Sequence, residues 1–326
     1  VFLIAIGFIG IYIELHSPGV GIGGLHQPTS DLEMGNSGTS TRLLMGLVAG
    51  HDISATFTGD ASLSKRPMKR VMTPLEMMGA TFKAVDNERL PLTVKGAKDT
   101  LAIEYRLPVA SAQVKSAIIL AGLNAKGITT VIESKPTRDH TENMLRHFGV
   151  EVVTEPVEGG EAIRVRGFQE LQPCAVDVPG DPSSAAFPAV AAVLNEGSEI
   201  RLSRVGIGPR RNGIYVTLKE MGADILFENE RVESGEKVAD LIIRGIGPLK
   251  GVNVPADRAP SMIDEFPVFA MAAACANGTT RMTGLEELRV KESDRITALE
   301  TSRGRIEAGR VGIAVAGDLR RTSPPG

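Results

Sequence analysis

One pattern recurs along this 326-residue chain and limits what it can fold into. A helix-like stretch ends in a Gly-containing turn and leads into two strand-like stretches. It occurs as Pro74 to Ala80 (PLEMMGA) followed by TFKAVD and LPLTVKG, as Met144 to Val150 (MLRHFGV) followed by EVVTEP and AIRVRG, and as Leu218 to Asp224 (LKEMGAD) followed by ILFENE and LIIRG. The turn glycines Gly79, Gly149 and Gly222 fall where a helix ends in a left-handed residue, a conformation glycine adopts at no steric cost. Upstream of each copy, a small polar residue opens an apolar helix that ends in glycine: Thr39 to Gly50, Ser111 to Gly127, Ser183 to Gly197, and once more Asp264 to Gly278. Ser, Thr and Asp are N-cap residues, and runs such as VKSAIILAGL and EFPVFAMAAACA read as buried helices. A strand follows each helix (ISATFTG, ITTVIES, EIRLSRV, TTRMTGL), and then a cationic loop: Lys65-Arg66, Lys135 with Arg138, Arg210-Arg211, Lys291 with Arg295.

With one more strand leading in, the repeat is a βαβαββ unit, starting near residues 36, 111, 183 and 261, the last copy being incomplete. The fold class is therefore α/β, with repeated units forming two lobes. Pro173 to Pro182 is the expected boundary. It gives a first lobe at 32–178, a second at 179–299 holding about one and a half units, and a tail at 300–326 that matches no pattern. Residues 1–31 read as a foreign apolar leader. Its 13-residue run VFLIAIGFIGIYI is shorter than the ~20 residues that span a bilayer, and no basic region precedes it.

Composition removes several function classes. The net charge of −3 lacks the basic footprint of a nucleic-acid binder, and the absence of Trp argues against base-stacking surfaces. Cys174 and Cys275 lack metal-ligand spacing and read as reduced, buried thiols of a cytoplasmic protein. The five histidines form no H-x-x-x-H pair, so no metal site is expected.

The polar residues collect in two kinds of place: the starts of buried helices and the loops after the next strand. Helix N-termini offer unpaired N–H groups and a positive dipole end, and Arg adds charge-assisted hydrogen bonds to the same anions. A single capping Ser or Thr is explained by capping alone. Several such sites together point to ligands with several negative charges. Gly35-Asn36-Ser37-Gly38-Thr39 is more specific, because flanking glycines let backbone approach a ligand. Asp264-Glu265, with Lys291, Glu292 and Arg295 of the same unit, forms the carboxylate-and-cation cluster that proton transfer beside a phosphorylated substrate needs.

Seven stretches, in order, carry a resemblance: GNSGTSTR (35–42), GDASLSKRPM (59–68), PVASAQVKSA (108–117), TRDHTENML (137–145), VPGDPSSAAFP (178–188), APSMIDEFP (259–267) and LEELRVKESDR (285–295). Together they resemble the 5-enolpyruvylshikimate-3-phosphate (EPSP) synthase family, in particular its bacterial class with glyphosate-tolerant members. The resemblance implies two domains of βαβαββ units, the inside-out α/β barrel type, with substrates bound between them. It implies transfer of the enolpyruvyl group of phosphoenolpyruvate to the 5-hydroxyl of shikimate 3-phosphate, without metal or organic cofactor and by a monomer. Ser111, Ala112, Gln113, Ser134, Arg138 and Lys291 would then bind shikimate 3-phosphate. Asn36, Gly38, Arg66 and Arg295 would bind phosphoenolpyruvate, and Thr39 would also contact substrate. Asp264 would take the hydroxyl proton, and Glu292 would serve proton transfer at the methylene carbon. Gly38, where the tolerant class often carries Ala, implies glyphosate sensitivity.

The D-K-S-x-x-x-R loop and the D-H-R motif of the family find no match, which implies weakened turnover. Residues 1–31 resemble a membrane segment of the NfeD family, through a Y-x-E-x-x-x-P-G run at 12–19, which keeps a non-catalytic, membrane-tethered fragment as a competing reading. The related UDP-N-acetylglucosamine enolpyruvyl transferases use a Cys on a mobile loop, which neither Cys174 nor Cys275 matches.

Overall fold

The computed structural model describes residues 30–285 and 288, together with the backbone of 307–309 and 312–317. Most of the apolar leader and the whole Lys291, Glu292 and Arg295 cluster lie outside the described residues. No helix among the described residues is long and apolar enough to cross a membrane. The chain divides between Val178 and Pro179 into two compact units.

In the first unit the expected repeat is present twice. Its first copy runs β1 (Ser30–Glu33), α1 (Gly38–Ala49), β2 (Ser54–Thr58), α2 (Lys69–Met77), β3 (Thr81–Val85) and β4 (Arg89–Lys95). The second runs β5 (Glu104–Arg106), α3 (Ala112–Gly122), β6 (Ile128–Glu133), α4 (His140–His147), β7 (Val152–Val157) and β8 (Gly160–Arg166). The sheet orders are the same, β1-β2-β4-β3 and β5-β6-β8-β7. In each, the leading pair is parallel and the remaining pairs are antiparallel. The connection through α1 or α3 makes the parallel pair possible, since parallel strands need a crossover. Gly79 and Gly149, just past α2 and α4, have φ of +104° and +80°, the left-handed turn the sequence calls for.

α1 and α3 are apolar nearly all round because they are packed on more than one side. They touch at backbone distance. A Cβ added at Gly46 would stand 2.3 Å from the Ala117 carbonyl oxygen, and one at Gly50 3.0 Å from that of Ala121. Both contacts advance four residues in the same direction, so the two helices run parallel and start at the same end. This contact decides where the site forms. Replacing Gly46 by Val is expected to cost about 3 kcal/mol through overpacking, the upper end for such insertions. A thermal melt of the purified chain reads this as a first-unit midpoint lower by roughly 10 °C. An unchanged midpoint would mean that the helices are not held at this distance.

The second unit repeats the pattern. Gly180 bridges in parallel to Val205 where a leading strand would lie. Then follow α5 (Pro182–Leu194), β9 (Glu199–Gly206), α6 (Gly213–Glu220), β10 (Asp224–Glu233) and β11 (Glu236–Arg244), in sheet order β9-β11-β10. Gly222 again takes the left-handed turn, at φ +96°. The last copy holds β12 (Asn253–Val254), the helical turns Ala256–Met262, α7 (Phe266–Cys275), β13 (Gly278–Thr283), β14 (Glu307–Gly309) and β15 (Gly312–Gly317). Its order, β12-β13-β15-β14, is that of the first two sheets.

Three expectations change here. The tail, read as patternless, supplies β14 and β15: its small apolar run GIAVAG pairs antiparallel with β13, Val315 opposite Thr280 and Ile313 opposite Met282. β1 begins at Ser30, two residues inside the stretch read as a leader. Cys174 and Cys275 are free thiols as expected, but both are exposed. Cys275 lies at the end of a helix so uniformly apolar that its sequence does not reveal the outward side.

Candidate functional site

The first unit gathers its polar groups at the shared start of α1 and α3. Each helix is capped by a serine: the Ser37 side chain accepts from the Ser40 N–H, and the Ser111 side chain from the Val114 N–H. Two positive dipole ends therefore stand together, an arrangement that favours an anion. Gln113 ties them. Its side-chain N–H donates to Thr39 Oγ1 at 2.7 Å, and its carbonyl accepts from Arg42 Nη1 at 2.8 Å. A hollow opens beside this pair, lined by Thr39, Ala112, Gln113 and Ser116, and by Arg138, His140 and Thr141 from the loop and helix after β6.

The Gly35–Thr39 loop is stitched to the loop after β2. Arg66 Nη2 donates to Asn36 Oδ1 at 2.6 Å, and Asn36 Nδ2 donates to Asp60 Oδ2 at 2.6 Å. Asp60 also accepts from the Leu63 N–H at 2.7 Å. The Asn36 hydrogen bond, followed by that of Leu63, holds the Asp60 carboxyl below its ordinary value, so it stays ionised as a fixed acceptor. Gly35, at φ +55°, turns the chain so that Asn36 presents both ends of its amide. Gly38 follows with its Cα beside two guanidinium groups: an added Cβ would stand 3.0 Å from Arg42 Nη1 and 3.1 Å from Arg66 Nη1.

The second unit centres on Arg211, which is 8% exposed. Its Nη2 donates to Asp181 Oδ1 at 3.1 Å and to Ser183 Oγ at 2.8 Å. Its guanidinium also stands 3.9 Å from Asp264 and 4.0 Å from the buried Glu265. Ser183 in turn donates to Glu265. Asp181 caps α5 through the Ser183 and Ser184 N–H groups, a role the sequence assigned to Ser183. Burial raises the Asp181 carboxyl, but the hydrogen bonds from Ser184 and Ser183 and the charge of Arg211 outweigh it, leaving the group below its ordinary value. Burial, reinforced by Glu265 and Asp181, pushes the Tyr215 hydroxyl well up, and it stays a donor, to the Pro182 carbonyl at 2.9 Å.

In the sequence, capping could explain one of Asp264 and Glu265, and the pair reads as part of a carboxylate-and-cation cluster. In the structure α7 has no side-chain capping bond at its start. The two acids are thus placed for Arg211 rather than for the helix, with Glu265 buried and Asp264 partly exposed.

Residues 18–308 match the EPSP synthase (3-phosphoshikimate 1-carboxyvinyltransferase) family. The chain belongs to the EPSP synthase family. A protein of Parvibaculum lavamentivorans named 3-phosphoshikimate 1-carboxyvinyltransferase is 60% identical over 297 residues, covering 89% of this chain and 66% of its own length. A protein of the same name from Paramagnetospirillum magneticum is 63% identical over 282 residues, covering 86% and 63%. A solved structure of EPSP synthase from Acinetobacter baumannii superposes with a TM-score of 0.78 at 48% identity, covering 89% of this chain and 65% of that one. The chain thus spans somewhat under two thirds of the length of these relatives. The EPSP synthase match begins at residue 18, inside the stretch read as a leader. Nothing further supports the NfeD likeness.

Against the residues that the EPSP synthase resemblance names, the first unit brings Thr39, Ala112, Gln113 and Arg138 to one hollow, with Ser111 capping α3 beside it. Asn36, Gly38 and Arg66 form the neighbouring cluster. Ser134 sits exposed just past the end of β6 and is not among the residues lining the hollow. Arg42, Asp60 and His140 were not singled out from the sequence, and Arg211 was named only as part of a cationic loop, without a substrate role. A signal existed for Arg211, which stands after the third repeat's strand as Arg66 and Arg138 stand after theirs. Asp60 and Arg42 act through contacts 24 and 71 residues distant, which no local pattern carries.

Proposed function

We propose that this chain transfers the enolpyruvyl group of phosphoenolpyruvate to the 5-hydroxyl of shikimate 3-phosphate and releases inorganic phosphate. The hollow at the shared start of α1 and α3 holds the phosphate of shikimate 3-phosphate through the Ser111, Ala112 and Gln113 end of α3 and Arg138; Ser134 and Lys291 also bind this substrate. Asn36, Gly38, Arg66 and Arg295 hold phosphoenolpyruvate, and Thr39 contacts substrate from the edge of the hollow. Asp264 takes the proton of the 5-hydroxyl as its oxygen bonds to the enol carbon, while the methylene carbon gains a proton in a step served by Glu292. Loss of that carbon's proton and of phosphate then restores the double bond in the transferred group. Every step is proton transfer and charge stabilisation, which the side chains supply without a metal or organic cofactor. The chain acts as a monomer in the cytoplasm.

The observation that carries this reading is the pairing of two parallel helix starts bridged by Gln113, beside Arg138. Family membership names the anion that such a pocket takes. Calorimetric titration with shikimate 3-phosphate tests it. Saturable binding is expected, weakened at least tenfold in Arg138→Ala by loss of a charge-assisted contact worth about 1.5–3 kcal/mol. No heat at millimolar ligand would overturn the reading.

Glyphosate, an anionic phosphonate, is expected to bind beside Gly38. In Gly38→Ala the new methyl group meets the ends of Arg42 and Arg66, which must give way by a few tenths of an ångström. Glyphosate inhibition is expected to weaken by roughly tenfold, equivalent to 1.4 kcal/mol, with a smaller rise in KM for phosphoenolpyruvate. Equal inhibition of both forms would place the inhibitor elsewhere.

A further inference from the structure

Lys115 lies one turn into α3 and is fully buried, with no substrate contact assigned to it. It meets two carboxylates: Glu133 Oε1 at 3.0 Å and Glu142 Oε1 at 2.7 Å. Glu133 ends β6 and Glu142 lies in the first turn of α4. Both carboxylates are also buried. Glu133 reaches further, accepting from the Thr137 N–H at 3.2 Å and from the Thr137 hydroxyl at 2.6 Å. The loop from Ser134 to Asp139 is thus pinned back onto the end of the strand it leaves. Thr137 precedes Arg138, the loop's cation in the hollow. On the other side of the cluster, Ser116 of α3 and Thr141 of α4 share a hydrogen bond of 2.7 Å, and both line the hollow.

We propose that Lys115, Glu133 and Glu142 form a positioning cluster that fixes the Arg138 loop against the start of α3, and so sets the geometry of the phosphate-binding hollow. The cluster costs more than an apolar core would. Three ionisable groups out of water carry a desolvation penalty that packing alone does not require, and apolar replacements of such groups are often neutral or stabilising. Burial pushes the Glu142 carboxyl up, and the charge of Lys115 opposes that rise. What the cluster supplies and an apolar core does not is direction. One ammonium on α3 joins β6 through a hydrogen bond to Glu133 and α4 through an ion pair with Glu142, and Glu133 holds a loop that has no regular structure of its own. A guanidinium in the right place before the ligand arrives is worth more than one that must be ordered on binding.

This inference rests on the proposed shikimate 3-phosphate site, and the experiment keeps the two apart. Glu133→Gln keeps the shape but leaves one oxygen to face the donors of Lys115 and Thr137. In that variant, hydrogen exchange of the amides at 135–139 is expected to speed at least tenfold, with α3 and β6 protected as before. Shikimate 3-phosphate affinity is expected to fall about tenfold, with KM for phosphoenolpyruvate unchanged. Thr137→Val, which removes only the hydroxyl, gives a smaller shift in the same direction and guards against a misfolded first variant. Unchanged exchange at 135–139 in both variants would overturn the proposal. So would loss of protection spread evenly over the first unit, which would make the cluster a general stabiliser. A loosened loop in a chain that binds no shikimate 3-phosphate would support the positioning role and overturn the enolpyruvyl reading alone.

Discussion

Asp264→Asn is expected to lower turnover of phosphoenolpyruvate with shikimate 3-phosphate by about 10²–10⁴, the range for loss of a general acid or base. Folding and ligand affinity should stay near those of the parent chain. The reason is local. α7 makes no use of Asp264 as a cap, so an amide there removes no helix-stabilising bond. The side chain is partly exposed, so the change buries no new unpaired group. What it removes is a carboxylate able to accept a proton. Steady-state rates alongside a thermal melt check this. Loss of rate with an unchanged melt is the expected pair. A rate within threefold of the parent would take Asp264 out of the chemistry.

Arg211→Met is expected to act first on stability. Arg211 is buried and serves Asp181, Ser183, Asp264 and Glu265 together. Removing it leaves the buried Glu265 carboxylate without its nearby guanidinium, and breaking a buried pair from one side typically costs 3–5 kcal/mol. That corresponds to a melting midpoint lower by roughly 10 °C for a unit of this size. At a temperature where the variant is still folded, turnover should fall as well, because Asp264 loses the cation beside it. A shift below 2 °C would mean that Glu265 is satisfied by other groups and that the arginine is peripheral.

The repeat was legible because it rests on residues with little choice. Gly79, Gly149 and Gly222 occupy left-handed turns that few other residues take, and strands built from TFKAVD, EVVTEP and ILFENE have nowhere else to pair. The helix starts were legible to within a residue or two, since Ser37 and Ser111 cap as serines do. What lay between repeats was not. The parallel contact of Gly46 and Gly50 with Ala117 and Ala121 joins positions about 70 residues apart, and small residues in apolar helices carry no partner's address. The acidic pair Asp264-Glu265 was legible as part of a carboxylate-and-cation cluster, but the arginine beside it was not: Arg211 belongs to the previous repeat, and nothing local to the pair points to it. The second strand pair of the last repeat was missed because GIAVAG is short, small-sided and far from the β13 strand that gives it a partner.

The central claim is that this chain joins an enolpyruvyl group to shikimate 3-phosphate. The most direct test is ³¹P NMR of phosphoenolpyruvate with near-stoichiometric protein, with and without shikimate 3-phosphate. The account predicts that the phosphoenolpyruvate signal converts to inorganic phosphate only when shikimate 3-phosphate is present, with the enolpyruvyl ether appearing in equal amount. Unchanged phosphoenolpyruvate, or phosphate released equally without the acceptor, would contradict it.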